Sequence, residues 1–519
     1  MESAIQSEKL PDDPTILKGI IDDLQNALHH KSEQFKALQQ LIFASKSEKT
    51  TAEDRLQMRL FDEAENETEE PQSPPQETIT YTREKKRGGR KPFSESIPRE
   101  EVLIDIEESE KQCACGHQLV RIGEEVSEQL DIVPARVKVI RTVRPQYGCR
   151  NCEGSGDEEK PAVRIAPMPP RILPQSTAAE GLLAHIVSGK FCDALPLYRQ
   201  ERILARLGGD VSRKNMANWM MGLAGRLEPL KETLWTHLRA GPLIHADETS
   251  LQVMKELNRP NTSKSYMWVF KGGPPGQPVI IFQYEPSRAS TVAQDILERY
   301  HGAVQTDGYA GYNFLDSKEE VLHLGCWAHA RRMFVKAEKA SAKSGAAKQT
   351  LAFIGKIYKE EKVLRTRLNE GLLETADFLR IRKEAVSPIL KKLKAYLDKK
   401  ALYLLPSGLL GQAVSYTLGQ WDILENYLKV VEATPDNNPV ENAIRPFVIG
   451  RKNWLTAGSP RGASASAFLY TLVETAKANG LEPYFYLRYL FLRFPSCPSE
   501  DQKTLLPWNL TPEKLAIPG

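Results

Sequence analysis

The sequence lacks three features that mark common protein classes: a strong net charge, many cysteines and a long apolar run. Its 519 residues carry a net charge of only +3, so any attraction to nucleic acid has to come from local patches. Seven cysteines, four of them in two close pairs, fit a reducing compartment and a metal site better than a disulfide framework. No apolar run approaches the roughly 18 residues that span a bilayer.

The N-terminus lacks the basic and apolar regions of a secretory signal, so we expect a cytoplasmic protein with no membrane partner. With 41% apolar and 26% charged residues, the chain has the composition of a globular protein. Its length predicts more than one domain.

A heptad series predicts a helical arm over residues 1–60. The apolar positions are spaced alternately four and three residues apart, and Lys31 occupies one polar slot. A weak coiled coil would join the chains as a homodimer or higher oligomer, whereas the alternative is an amphipathic helix docked on its own protein. The series consists of Leu17, Ile21, Leu24, Leu28, Phe35, Leu38 and Ile42.

Residues 61–92 have the composition of a linker that is first acidic and then basic. From Asp62 to Thr78 there are seven acidic residues, no basic ones and three prolines, a composition that cannot bury a core. Arg83 to Lys91 then holds six basic residues against one acidic. Such a run is often only solvated charge. With two glycines between Arg87 and Arg90, it also forms a flexible peptide that fits a narrow minor groove.

Two cysteine pairs predict a zinc module over residues 93–165. Cys113 and Cys115 form the first pair, Cys149 and Cys152 the second, and 33 residues separate the inner cysteines. Four thiolates on two knuckles suit one structural zinc ion with tetrahedral geometry. Because the first pair is one residue tighter than usual, His117 is an alternative ligand; four reduced surface cysteines are the other alternative. A strand is expected between the pairs, over residues 128–143.

Residues 170–236 are expected to form helices, the first over residues 178–188, the second near residues 195–207 and the third after a cap at Ser212. On the third helix Arg213, Lys214 and Asn215 would lie on the polar side, while Met216 and its apolar neighbours pack. This is the layout of a helix-turn-helix recognition helix. A plain helical bundle has the same pattern.

Three acidic residues predict the chemistry. Asp247 is expected at the end of a buried strand, Asp307 just after an apolar strand, and Glu441 in the first turn of a helix capped by Asn438 with Pro439 in its first position. Carboxylate oxygens suit magnesium or manganese, and three acids can hold two such ions with positions open for phosphate and water. The pattern indicates phosphodiester chemistry.

Strands, a crossover helix and acids at strand ends predict a multidomain α/β protein whose catalytic core binds metal at one edge of a sheet. The core is expected in two parts, residues 240–336 and 431–519, separated by a helical insertion over residues 337–430. The expected strands cover residues 266–271, 279–284, 303–306 and 321–324, with a helix over residues 290–300.

Several long motifs resemble the transposases of the insertion-sequence 66 family, a branch of the DDE recombinases. They are FASKSEK (43–49), the paired-cysteine module, SRKNMANW, HADET, QTDGYAGYN, CWAHARR and DNNPVENAIRPFVIGRKNW. The family's first knuckle is usually Cys-x-x-Cys, so the ligands at Cys113 and Cys115 stay open.

The resemblance implies a ribonuclease-H-like core in which Asp247, Asp307 and Glu441 form a metal-binding triad. It also implies that Cys326 and His329 form the Cys-x-x-His signature of several DDE branches, with Arg331 in the same motif; packing beside the metal site is their alternative role. Arg445 and Lys452 could hold phosphates or simply form a solvated helix face.

The expected activity is magnesium-dependent cleavage of a transposon 3′ end and strand transfer into target DNA, in the bacterial cytoplasm at the nucleoid. Transposon-end and target DNA are the expected partners, with small accessory proteins of the same element as possible others. A nuclease without strand transfer and a non-catalytic DNA-binding regulator are the alternatives.

Overall fold

A computed structural model describes residues 136–148, 163–340 and 345–515, together with the single residues Lys18, Lys31 and Gln129. The chain divides into two compact units, Met1–Lys49 with Val137–Gly519, and Thr50–Arg136. The predicted heptad seam, the linker with Arg87 and Arg90, and the cysteines at 113, 115, 149 and 152 lie outside the described residues.

The described elements are eight strands and a larger number of helices. The strands are β1 Gln146–Gly148, β2 Val163–Ile165, β3 Leu243–Val253, β4 Lys264–Gly272, β5 Val279–Glu285, β6 Gly302–Gln305, β7 Val321–Leu324 and β8 Thr456–Ala457. The α-helices are α1 Glu180–Phe191, α2 Leu197–Arg206, α3 Arg213–Arg226, α4 Leu230–Arg239, α5 Ser290–Leu297, α6 Trp327–Ala340, α7 Gly345–Asn369, α8 Thr375–Ala401, α9 Leu409–Gly419, α10 Trp421–Glu425, α11 Asn438–Trp454, α12 Pro460–Ala478, α13 Pro483–Arg493 and α14 Pro512–Leu515. Short 3₁₀ helices include Ala310–Ser317 and Asn426–Lys429.

A six-stranded mixed sheet forms the centre of the fold, in the order β5-β4-β3-β6-β7, with β8 beside the end of β3. Strands β3, β4 and β5 pair antiparallel, while β3, β6 and β7 pair parallel. The four strands expected at residues 266–271, 279–284, 303–306 and 321–324 are confirmed to within two residues, because short apolar runs suit strands that are buried on both faces of a sheet.

Strand β3 is longer than expected, and Asp247 lies at its fifth position rather than at its end. The polar run from His245 to Thr249 stays in the strand because β4 pairs with it throughout, and residues from His245 to Gln252 each have a partner there. Tertiary pairing therefore extends the strand through residues whose local pattern indicates a strand end.

The edge strand β5 is closed on its outer side by threonine hydroxyls of α12. Thr471 Oγ1 accepts a hydrogen bond from the N–H of Phe282 at 2.9 Å, and Thr475 Oγ1 accepts from the N–H of Ile280 at 3.1 Å. Thr475 Oγ1 is also 3.1 Å from the carbonyl oxygen of Ile280, to which it can donate. An open edge would offer these groups to another chain, so α12 prevents edge-to-edge pairing.

The helices predicted within residues 337–430 are present, and they share one hydrophobic core with the sheet. Leu243, Ala303 and Leu324 supply the sheet's part of this core. Apolar side chains of α6 to α10 complete it, among them Trp327, Phe334, Ile354, Ile357, Leu390, Leu393, Leu397, Val414 and Trp421. The insertion therefore packs directly behind the strands that carry the acids.

Three expectations about local structure were wrong in detail. The first helix begins at Glu180 instead of residue 178, because the hydroxyl of Ser176 accepts from the N–H of Ala178 in a turn before the helix. Helix α5 ends at Leu297, three residues early. The strand expected over residues 128–143 is absent from its described part, Gln129 and residues 136–143; the strand that pairs, β1, begins at Gln146 instead.

Candidate active site

Asp247 and Asp307 are brought together by the parallel pairing of β3 with β6. His245 is the register partner of Gln305, and each aspartate lies two residues beyond its member of this pair. Neighbouring strands lie about 4.8 Å apart, so equal offsets place the two carboxylates side by side. The two carboxylates lie just beyond the end of β6, beside the part of β3 that has no partner in β6.

Glu441 reaches the same place because Asn437 ties the start of α11 to β3. The amide nitrogen of the Asn437 side chain donates to the carbonyl oxygen of Ala246 at 2.9 Å, and its amide oxygen lies 3.0 Å from Nδ1 of His245. An amide oxygen only accepts, so Nδ1 of His245 carries the proton. The expected cap, Asn438, was one residue off: Asn437 precedes the helix, and its side chain binds β3 instead of capping.

Burial and mutual repulsion act on the pKa values of the three acids. Burial raises the pKa of Asp247 well above its ordinary value, and Asp307, Glu248 and Glu441 raise it further by repulsion. The pKa of Asp307 is also raised by burial, as is that of Glu441. The guanidinium of Arg332 works in the opposite direction on both. Closely spaced carboxylates that resist ionisation are typical of a site built for a cation.

The loop that carries Asp307 is held by backbone and side-chain contacts. The N–H of Tyr309 donates to Oδ1 of Asp307 at 2.9 Å, and Gly308 between them has a φ of 81°, a conformation that favours glycine. The hydroxyl of Tyr416, on α9, donates to the carbonyl oxygen of Asp307 at 2.9 Å. The helical insertion thus contacts the second acid directly.

Glu248 is a buried acid that the sequence analysis did not single out. Its carboxylate accepts from Arg288 Nε at 2.6 Å and from the hydroxyl of Tyr312 at 2.8 Å. Burial, with repulsion from Asp307, raises the pKa of Glu248 to about 7, and Arg288 opposes this rise. Arg288 also stacks on Tyr309, 3.7 Å from the ring centre. Glu248 therefore connects β3 to the loop that carries Asp307. Its position directly after Asp247 is the sequence feature from which its role could have been predicted.

Cys326, His329 and Arg332 meet Glu441 at the start of α6. The ligand atoms of Cys326, His329 and Glu441 all lie within 4.8 Å of one another. Nη2 of Arg332 donates to both carboxylate oxygens of Glu441, at 3.0 and 3.1 Å. The motif CWAHARR contains two arginines, of which the sequence analysis named Arg331 alone; Arg332 binds the third acid, and Arg331 also has an interaction partner.

The predicted DNA-contacting residues of the described region divide into two groups. Ser212 caps α3 as predicted, with its hydroxyl accepting from the N–H of Asn215; Arg213, Lys214 and Asn215 are exposed at this helix start. Arg445 and Lys452 lie half-buried on α11, and each already has an interaction partner. On the same helix the buried Arg451 donates to Ser250 and Thr249 of β3.

No helix among the described residues is long and apolar enough to cross a membrane.

Comparison with protein families covers most of the chain. The family described as "Transposase IS66 family" matches residues 175–465, which include all three acids. The "zinc-finger binding domain of transposase IS66" matches residues 110–153, and the "IS66 C-terminal element" matches residues 471–508. Residues 32–102 match "Transposase C of IS166 homeodomain".

Two similar proteins come from Sinorhizobium fredii (strain NBRC 101917 / NGR234). Uncharacterized protein y4jD is 33% identical over 428 residues, with 80% of this chain and 80% of the relative covered. Uncharacterized protein y4qI is 32% identical over 439 residues, with 82% of this chain and 78% of the relative covered. Together with the family matches, these similarities show that the chain belongs to the IS66 family of transposases.

Proposed function

We propose that this transposase binds the ends of its element, cuts them at the 3′ strand and joins them to target DNA, with Asp247, Asp307 and Glu441 as the metal-binding triad. The observation that carries the proposal is the convergence of three acids from β3, the end of β6 and the start of α11. Burial and mutual repulsion raise the pKa of Asp247. A ribonuclease-H-like arrangement of the core is part of this proposal.

The residues fit a pair of magnesium or manganese ions. Their donor atoms are hard carboxylate oxygens, and the pKa of Asp247 is raised by burial and by neighbouring negative charge, which a divalent cation would neutralise. When bound, the ions would supply Lewis acidity that activates a water or a 3′ hydroxyl and neutralises the phosphate.

The chain's own residues hold this geometry before any ion binds. Arg332 keeps both oxygens of Glu441 in place. Asn437 fixes the helix of Glu441 against β3. The N–H of Tyr309 and the hydroxyl of Tyr416 fix the turn at Asp307. Preorganised ligands matter because small displacements at a reacting phosphate cost large factors in rate.

DNA binding is assigned to regions outside the triad. We propose that Arg213, Lys214 and Asn215 contact the transposon end, aided by Arg87 and Arg90 of the basic peptide and by Arg445 and Lys452 of α11. Cys113, Cys115, Cys149 and Cys152 would hold one structural zinc ion, and the heptad arm would form the oligomer. Small accessory proteins of the element and location at the nucleoid belong to the same proposal.

Conservative variants of the acids test the activity. Asp247→Asn, Asp307→Asn and Glu441→Gln each keep the side-chain size but remove a charge that a metal ion needs. With labelled transposon-end DNA and magnesium, each variant should bind the ends yet lose cutting and joining by several orders of magnitude, and double variants should lose little more.

The matched control is Glu474→Gln, a buried glutamate of α12 paired with Lys477. This variant should cut and join at the parental rate. Cutting without joining in the parent protein would indicate a nuclease, and binding alone a regulator. Near-parental joining by any folded triad variant would refute the assignment of the acids.

A further inference from the structure

A second cluster of metal-ligand atoms lies beside the acids, and its chemistry differs from theirs. Cys326 follows β7, His329 lies one turn later on α6, and Glu441 faces them from α11. One ligand atom from each, a sulfur, a nitrogen and an oxygen, lies within 4.8 Å of the other two. A tetrahedral zinc ion holds such atoms about 3.5 Å apart. Nδ1 of His329 and Oε1 of Glu441 are already 3.7 Å apart.

The imidazole of His329 has a buried nitrogen that nothing satisfies. Nδ1 has no hydrogen-bond partner within the described residues, and its 3.7 Å distance to Glu441 is too long for a hydrogen bond. A neutral imidazole with an unsatisfied buried nitrogen is the form that binds metal. Buried polar atoms without a partner are rare and call for a cause such as a bound ion.

The groups around the cluster suit a bound cation as well. The backbone N–H of Asn437 donates to Sγ of Cys326 at 3.2 Å, a contact that stabilises a thiolate. Arg332 orients the carboxylate of Glu441. Because the two oxygens offer about four lone-pair positions, this carboxylate can bind a metal ion while it is held by Arg332. Three protein ligands leave a fourth tetrahedral position for water.

We propose that Cys326, His329 and Glu441 form a binding site for a zinc-type divalent ion, separate from the cysteine module and sharing Glu441 with the acid triad. Thiolate and imidazole select zinc over magnesium, which prefers oxygen ligands. As the metal–sulfur bond forms, the thiol of Cys326 releases its proton to solvent. One consequence rests on the proposed function: zinc at this site draws Glu441 away from the magnesium ions and inhibits strand transfer.

Metal content tests the site without reference to activity. The full-length protein is incubated with excess ZnCl₂, freed of unbound metal and analysed for zinc per chain. Cys326→Ser and His329→Ala should each bind one zinc fewer than the parent. Cys192→Ser is the control, because Cys192 is a free, partly buried thiol far along the chain from this cluster, and it should bind as much zinc as the parent.

Cobalt gives a second readout. CoCl₂ should produce a thiolate-to-cobalt absorption band in the parent that is weaker in Cys326→Ser by one thiolate and unchanged in Cys192→Ser. Equal zinc content and equal bands in the parent, Cys326→Ser and His329→Ala would overturn the proposal. If Cys326→Ser fails to fold, His329→Ala decides the matter, since its side chain is 24% exposed and tolerates truncation better.

Joining assays in magnesium then separate the site from the proposed function. Added ZnCl₂ should reduce joining by the parent severalfold more than it reduces joining by His329→Ala. Equal zinc content in the parent and His329→Ala refutes the metal site even if joining is observed. Absence of joining, together with one zinc fewer in His329→Ala than in the parent, refutes the transposition chemistry but leaves the metal site standing.

Discussion

Replacing Asn437 by alanine should separate the positioning of Glu441 from the stability of the fold. The side chain of Asn437 is fully buried and makes two hydrogen bonds, to Ala246 and His245 of β3. Its loss leaves a buried carbonyl and a buried imidazole N–H without partners, at a cost of about 1–3 kcal/mol each. The two losses together destabilise the contact between α11 and β3 by roughly 2–6 kcal/mol, which is comparable with the lower end of domain stabilities. Because this destabilisation is confined to one contact, the start of α11 should open locally before the core unfolds.

The control is Asn479→Ala, at the end of α12. The side-chain amide of Asn479 likewise makes two hydrogen bonds, donating to the carbonyl oxygens of Pro278 and Thr475, both at 2.8 Å. Pro278 precedes β5, which lies two strands from β3 in the sheet, so this variant loses similar bonds without touching the acids.

Two measurements check the prediction. Hydrogen exchange should show lost protection at the start of α11 only in Asn437→Ala. Single-turnover joining per folded molecule, at saturating DNA and magnesium, should fall at least tenfold in Asn437→Ala and stay at the parental rate in Asn479→Ala. If Asn437→Ala joins DNA at the parental rate per folded molecule, Asn437 has no part in positioning Glu441.

Two further predictions concern the fold. Thr471→Val and Thr475→Val should each leave an outer N–H group of β5 without its hydroxyl partner, at a cost of about 1–3 kcal/mol, and hydrogen exchange in β5 should become faster. The control is Thr417→Val, whose hydroxyl bonds within its own helix, and it should leave β5 protected. Unchanged exchange in all three variants would contradict the closed edge. Burial lowers the pKa of Lys190 from 10.5 to about 8. Between these two pH values the unfolded chain binds more protons than the folded one, so the free energy of unfolding should rise with pH by up to about 3 kcal/mol. The contact of the Lys190 ammonium with the Trp454 ring, at 3.8 Å, stabilises the charged form and reduces this rise. Lys190→Met should flatten this rise and stabilise the protein at pH 7 in urea titrations; parallel pH curves for the two proteins would show that Lys190 stays charged.

Part of the site could be read from the sequence because it depends on local chemistry. Short apolar runs located β4 to β7, and the capping ability of Ser212 indicated the start of α3. Asp247 and Asp307 could be chosen from the apolar runs that precede them, and Glu441 from the helix start around it. The family motifs around them pointed to the same residues, and the family match confirms the membership.

The sequence alone determined which side chains are available to the site; the tertiary structure decided which of them meet. Arg332 binds Glu441 because the packing of α6 against a helix 109 residues away brings its guanidinium to that carboxylate. Asn437 bonds to β3 across 191 residues, and the threonines of α12 close β5 across 189 and 195 residues. No local pattern encodes such pairings, since they arise only when buried polar groups must find partners as the sheet and helices pack.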